Sequence, residues 1–111
     1  MAKQALQPSD IQAMVDTIVQ TISPTRIILF GSYAKGNATQ SSDIDLCIIE
    51  KDAFNAKRSR RKETAKLYKA LSSFAIPKDL LLFSEEELNQ EKNQHLLHPI
   101  QQQGKVLYES T

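Results

Sequence analysis

A single cysteine, almost no net charge and no long apolar run exclude several kinds of protein before any motif is considered. One thiol, Cys47, allows neither an intrachain disulfide nor a cysteine-rich zinc site. Its place in an apolar stretch reads as a buried, inert side chain, which fits a reducing cytoplasm. Fourteen Lys and Arg against thirteen Asp and Glu give no overall basic field. Direct binding of nucleic acid is therefore not expected, and contact with any polyanion would have to be local. The opening "MAKQALQPSD" lacks the apolar centre of a signal peptide, and no segment approaches the roughly 20 apolar residues of a membrane span. Neither secretion nor membrane insertion is expected. What remains is ordinary globular composition, 41% hydrophobic and 24% charged over 111 residues, with no repeat and no dividing linker. That predicts one domain over residues 1–111.

Ser9 followed by Gln12 has the spacing of a capping box, and Ile11, Met14, Val15, Ile18, Val19 and Ile22 recur at helical intervals. These predict an amphipathic helix ending before Pro24. "RIILF" (26–30) and "DIDLCIIE" (43–50) read as strands, joined by the polar loop "GSYAKGNATQSS". A helix is predicted from Asp52 to about Phe74, with the basic run "KRSRRK" (57–62) in its first half. "KDLLLFS" after Pro77 reads as a third strand. "SEEE" (84–87) predicts the start of another helix, which Pro99 interrupts or restarts and Gly104 ends before a last strand, "KVLYE" (105–109).

The second strand poses the chemical question. Side chains alternate along a strand, so Asp43 and Asp45 point one way while Ile44 and Leu46 point into the core. Two carboxylates separated by roughly 6.5 Å at Cα repel each other unless they share a cation. A third acid, Asp79, opens "DLLLF" much as Asp45 opens "DLCII". If those strands are neighbours, three carboxylates converge at one edge of a sheet, a donor set that suits Mg²⁺ carrying a triphosphate. Gly31 and Ser32 close the first strand, where a glycine admits a phosphate close to the backbone and a hydroxyl can donate to it.

"GS", ten residues and then "DID" resembles the signature of the nucleotidyltransferase superfamily that includes DNA polymerase beta. Nearly the whole chain resembles a minimal nucleotidyltransferase: "IILFGSYAKG", "SDIDLCII", "PKDLLLFSEEEL" and "QQGKVLYE" all take part. The resemblance implies an α/β (α+β) nucleotidyltransferase fold, a small mixed sheet with helices mainly on one face. It implies transfer of AMP from ATP to a hydroxyl, assisted by two Mg²⁺ ions. Asp43 and Asp45 match the pair that binds both metals, Asp79 the acid that ligates the catalytic metal and helps activate the nucleophile, and Gly31 and Ser32 the phosphate-binding pair. Because the chain is short, the acceptor must come from elsewhere. Minimal members are typically antitoxins whose partner is a HEPN-domain protein, often an RNase. The resemblance therefore implies a hetero-oligomer in which a tyrosine of the toxin is adenylylated. Two alternatives are a noncatalytic antitoxin that covers its partner and transfer to a small molecule by a homodimer.

Other residues invite weaker readings. The run 57–62 could hold triphosphate but reads better as a solvated helix end, and Lys35 divides evenly between phosphate contact and solvent. His95 and His98 have a metal-binding spacing on a predicted helix but no acid or cysteine beside them. Tyr33 and Tyr108 read as packing residues.

Overall fold

The computed structural model describes residues 6–39 and 41–110. Helix α1 spans Pro8–Ile22 and turns Met14, Val15 and Ile18 inward from the expected stripe. It starts before the expected Ser9–Gln12 pair. Pro8 occupies the first turn, where its missing N–H costs nothing, and the Asp10 carboxylate accepts the Gln7 N–H at 3.1 Å. Strands β1 (Arg26–Phe30), β2 (Ile44–Glu50), β3 (Lys78–Ser84) and β4 (Lys105–Glu109) lie where branched apolar residues predict them. They form one mixed sheet in the order β3-β2-β1-β4. β1 is antiparallel to β2 and β4, whereas β2 and β3 are parallel.

Both faces of this sheet are covered, which explains the near-continuous apolar character of β2. Ile27, Leu29, Ile44, Leu46, Ile48, Leu80 and Leu82 pack beneath α1 and α3 (Arg60–Ala70), with Leu67 of α3 and Leu71, the residue that caps it, in the same core. Ile28, Cys47, Ile49 and Phe83 point the other way, toward Leu97 and Ile100 of α4 (Gln94–Gln103). The larger helical cover is thus on one face, as expected. Burial pushes the Cys47 thiol up to about 12, so it is inert. Tyr33 and Tyr108 both pack against the larger core.

Three predicted boundaries move, each for a local reason. Residues 51–59 are not helical. The Asn55 side chain accepts the N–H groups of Lys57 and Arg58, both at 2.9 Å, and so competes with a helical turn. The helix waits for Ser59, whose hydroxyl caps the Lys62 N–H at 3.1 Å. "SEEE" begins no α-helix; β3 runs through Ser84, and two 3₁₀ turns, Glu86–Asn89 and Glu91–Asn93, precede α4. Glu87 still reaches back, accepting the Ser84 N–H at 3.0 Å. Pro99 lies inside α4 rather than dividing it, because the packing of Leu97 and Ile100 holds the helix across the one bond it loses.

The basic run is at the far end of the sheet from the acids of interest. Arg58 pairs with buried Glu50, the last residue of β2, at 3.6 Å and lies over the Phe54 ring. Burial raises the Glu50 pKa against the pull of Arg58. Arg60 pairs with Glu87 and also covers Phe54. These two guanidiniums clamp the irregular segment onto the sheet and are not placed to hold a triphosphate at Gly31. Among the described residues no helix is long and apolar enough to cross a membrane.

Candidate active site

The antiparallel pairing of β1 with β2 sets Phe30 opposite Asp45, and the parallel pairing of β2 with β3 sets Asp45 opposite Asp79. Register therefore brings together residues 30, 45 and 79 in one row across three strands. Paired positions share a face, so Asp45 and Asp79 project on the same side of the sheet. Asp43 stands one residue before β2 rather than inside it, exposed in the loop that delivers the strand.

Electrostatics show how close these acids are. The Asp45 carboxyl is held above its ordinary range by burial, then by the charge of Asp79, then by that of Asp43. Asp79 also lies within hydrogen-bonding reach of Asp45 when one of the two carries a proton. None of the three is ion-paired among the described residues. A strand that gathers negative charge without a counter-charge loses stability for it, the usual signature of a site built for a positive or electrophilic ligand.

Gly31 explains how the row ends. Its backbone, at φ 73° and ψ −152°, occupies a region open essentially to glycine alone. A Cβ there would collide with the Asp45 carboxylate. The chain then turns into the short helix α2 (Ser32–Lys35), with the Gly31 carbonyl accepting the N–H groups of Ala34 and Lys35 at 3.1 Å each. Ser32 leads this turn, and its hydroxyl makes no hydrogen bond among the described residues. Gly31, Ser32, Asp43, Asp45 and Asp79 are thus drawn together from three separate stretches of chain.

Among the described residues no group of three or more His, Cys, Asp or Glu side chains is arranged to hold a metal ion. The donor chemistry nevertheless fits Mg²⁺. Three unpaired carboxylates on one sheet end supply hard oxygens, and this ion commonly completes its shell with water and substrate phosphate. His95 and His98 are exposed on α4 and belong to no such group.

One residue to which the sequence assigned no part in the site supports it. The Tyr68 hydroxyl accepts the Leu80 N–H at 3.1 Å and donates to the Lys78 carbonyl at 3.5 Å. It therefore brackets Asp79 along the free edge of β3. No sequence signal marks it beyond its place in a partial apolar stripe. Replacing Tyr68 with Phe keeps the ring and frees both backbone groups. We expect a loss of about 1 kcal/mol of stability and a lower kcat with an unchanged KM for nucleotide, measured by melting and steady-state rates. An equal rise in KM would instead assign Tyr68 to nucleotide binding. Gly104 ends α4 where the sequence placed its end and lets the chain turn tightly into β4: a Cβ there would lie 2.5 Å from Ile28 Cγ2 and 2.9 Å from the Leu29 carbonyl.

Comparison with known proteins bears on the family and the fold. The family model described as "Nucleotidyltransferase domain" matches residues 13–101. Two proteins of Methanocaldococcus jannaschii are similar in sequence. "Putative protein adenylyltransferase MJ0604" is 32% identical over 83 residues, 75% of this chain and 77% of that protein. "Putative protein adenylyltransferase MJ0141" is 37% identical over 57 residues. That match spans 51% of this chain and only about half, 52%, of the relative. Among solved structures, a chain from a toxin–antitoxin complex with AMP-PNP superposes with a TM-score of 0.60 at 25% identity. The superposition covers 90% of this chain and 74% of the other.

Proposed function

Because the chain belongs to the nucleotidyltransferase domain family, we propose that it transfers AMP from ATP to a hydroxyl of a partner protein, and that it is the antitoxin of that partner. The observation that carries the chemistry is the convergence of Asp43, Asp45 and Asp79, unpaired, beside the Gly31 turn. The names of the two M. jannaschii relatives support a protein as acceptor. The toxin–antitoxin complex with AMP-PNP supports both the nucleotide and the biological setting. The family resemblance supplies the finer expectation of a tyrosine on a HEPN-type RNase.

In this reading the Gly31 backbone and the Ser32 hydroxyl hold the triphosphate. Asp43, Asp45 and Asp79 would ligate Mg²⁺, which when bound neutralises charge at the reacting phosphate and acidifies the acceptor hydroxyl. Asp79, on the outer strand, faces the side from which a partner can approach. Its carboxylate takes the proton as the hydroxyl oxygen bonds to the α-phosphorus and the bond to the departing pyrophosphate breaks. Asp43, just before β2, and Asp45 on it stay beneath the phosphates.

The test mixes the purified chain with the product of the neighbouring reading frame, Mg²⁺ and each triphosphate in turn, and weighs that product intact. A gain of roughly 329 Da per transferred AMP is expected. Asp79→Asn should depress it by about 100-fold or more while the complex survives. Equal inhibition of the partner by wild type and Asp79→Asn, with no mass gain in either, would replace enzymatic with steric neutralisation.

A further inference from the structure

Beside the Gly31 turn, on the side away from Asp79, lies a cleft of about 190 Å³ between α2 and the C-terminal half of α4. Phe30, Gly31 and Ala34 form one side, and Pro99 and Ile100 the other. Only Lys35 and Gln103 bring polar side chains to it. Gly31 is common to this cleft and to the turn that meets the Asp45 carboxylate. Phe30 is the register partner of Asp45. The cleft and the acids are therefore contiguous, and a molecule held over Gly31 reaches both.

We infer that this cleft receives the purine base of the nucleotide and that the Gln103 amide selects adenine. The inference rests on the nucleotidyl-transfer reading for the position of the phosphates; the choice of base is argued from the cleft itself. Drug-sized ligands fill roughly 300 to 1,000 Å³, so this smaller space suits a single ring system with the sugar and phosphates outside it. Its walls are mostly apolar, suited to a planar base but poor for a sugar or a phosphate chain. An aromatic wall such as Phe30 favours stacking of any base, so choice between bases falls to the polar rim. Lys35 carries only donors, while a glutamine amide offers one donor and one acceptor side by side. That pair matches the N7 and N6 groups of adenine, whereas guanine presents two acceptors at the same edge. Gln103 is the last residue of α4, exposed and outside both cores, so its replacement does not disturb the fold.

Calorimetry with Mg²⁺ and ATP, GTP or inorganic tripolyphosphate, on wild type and Gln103→Leu, tests the assignment. Wild type should bind ATP at least tenfold more tightly than GTP and more tightly than tripolyphosphate. Gln103→Leu should lose about 5- to 150-fold in ATP affinity, the range for a bidentate contact to a base. It should bind tripolyphosphate as before and no longer separate ATP from GTP. A photoreactive 8-azido-ATP should label the peptide that carries Pro99, Ile100 and Gln103. An unchanged ATP-to-GTP ratio in Gln103→Leu overturns the inference, as does labelling confined to another peptide or tripolyphosphate binding as tight as that of ATP. If the base preference holds but no partner gains mass, the base site stands and the acceptor assigned above is wrong.

Discussion

Replacing Asp45 with Asn should raise the melting temperature of the metal-free protein by a few degrees while lowering nucleotidyl transfer by at least about 100-fold. The two effects have one origin. In the fold the Asp45 carboxyl is raised by burial, by Asp79 and by Asp43, so its ionised form costs stability at neutral pH. The sign follows from linkage. A carboxyl whose folded pKa exceeds its unfolded value binds its proton more tightly in the folded state. Its contribution to stability therefore improves as pH falls through the folded pKa, and is unfavourable above it. Asn keeps the shape and removes the charge. The stability gap between variant and wild type should be widest near neutrality and should close under acid conditions. Melting in chelator across pH measures this directly. Mg²⁺ with ATP should then stabilise the wild type and leave Asp45→Asn almost unmoved. A variant less stable than wild type at neutral pH would mean that Asp45 serves the fold rather than a ligand.

Gly31→Ala is the second large effect. At φ 73° and ψ −152° an alanine pays backbone strain of order 1 to 3 kcal/mol, and its Cβ collides with the Asp45 carboxylate. Relief requires either the turn or the acid to move, and both border the proposed triphosphate position. We expect a loss of at least about 3 kcal/mol in stability, together with loss of nucleotide binding in the protein that remains folded. Gly36 provides the control. It also has a positive φ, 79°, but nothing lies within 4 Å of its missing Cβ. Gly36→Ala should cost only about 1 kcal/mol and leave nucleotide affinity intact. Denaturant melts paired with calorimetry separate the two. If both variants bind nucleotide normally, the Gly31 turn has no part in holding phosphate.

The four strands and the first helix were legible in the sequence, and residues 31, 32, 43, 45 and 79 could be proposed from it as a site, because these signals are local. Branched apolar runs, a glycine closing a strand, and acids at alternating positions need no knowledge of distant neighbours. The helix placed over residues 52–74 was less legible. Asn55 and the stacking of Arg58 and Arg60 on Phe54 override weak helical periodicity there, and such side-chain contacts leave no periodic trace. The role of the basic run was obscure for the same reason: its partners, Glu50 and Glu87, lie on other elements.

From residue order alone follow the acids, their spacing in "DID", the Gly31–Ser32 turn and the family, since each depends on residues adjacent in the chain. Only tertiary structure decided that Asp79 faces Asp45, through the parallel register of β2 and β3. It alone set the Asp45 carboxylate against the bare Cα of Gly31, bracketed Asp79 with Tyr68, and opened a cleft between α2 and α4. The physical reason is that strand register and helix docking are set by how the two apolar faces of the sheet are buried together. That sum over many distant contacts is not written in any one stretch of sequence.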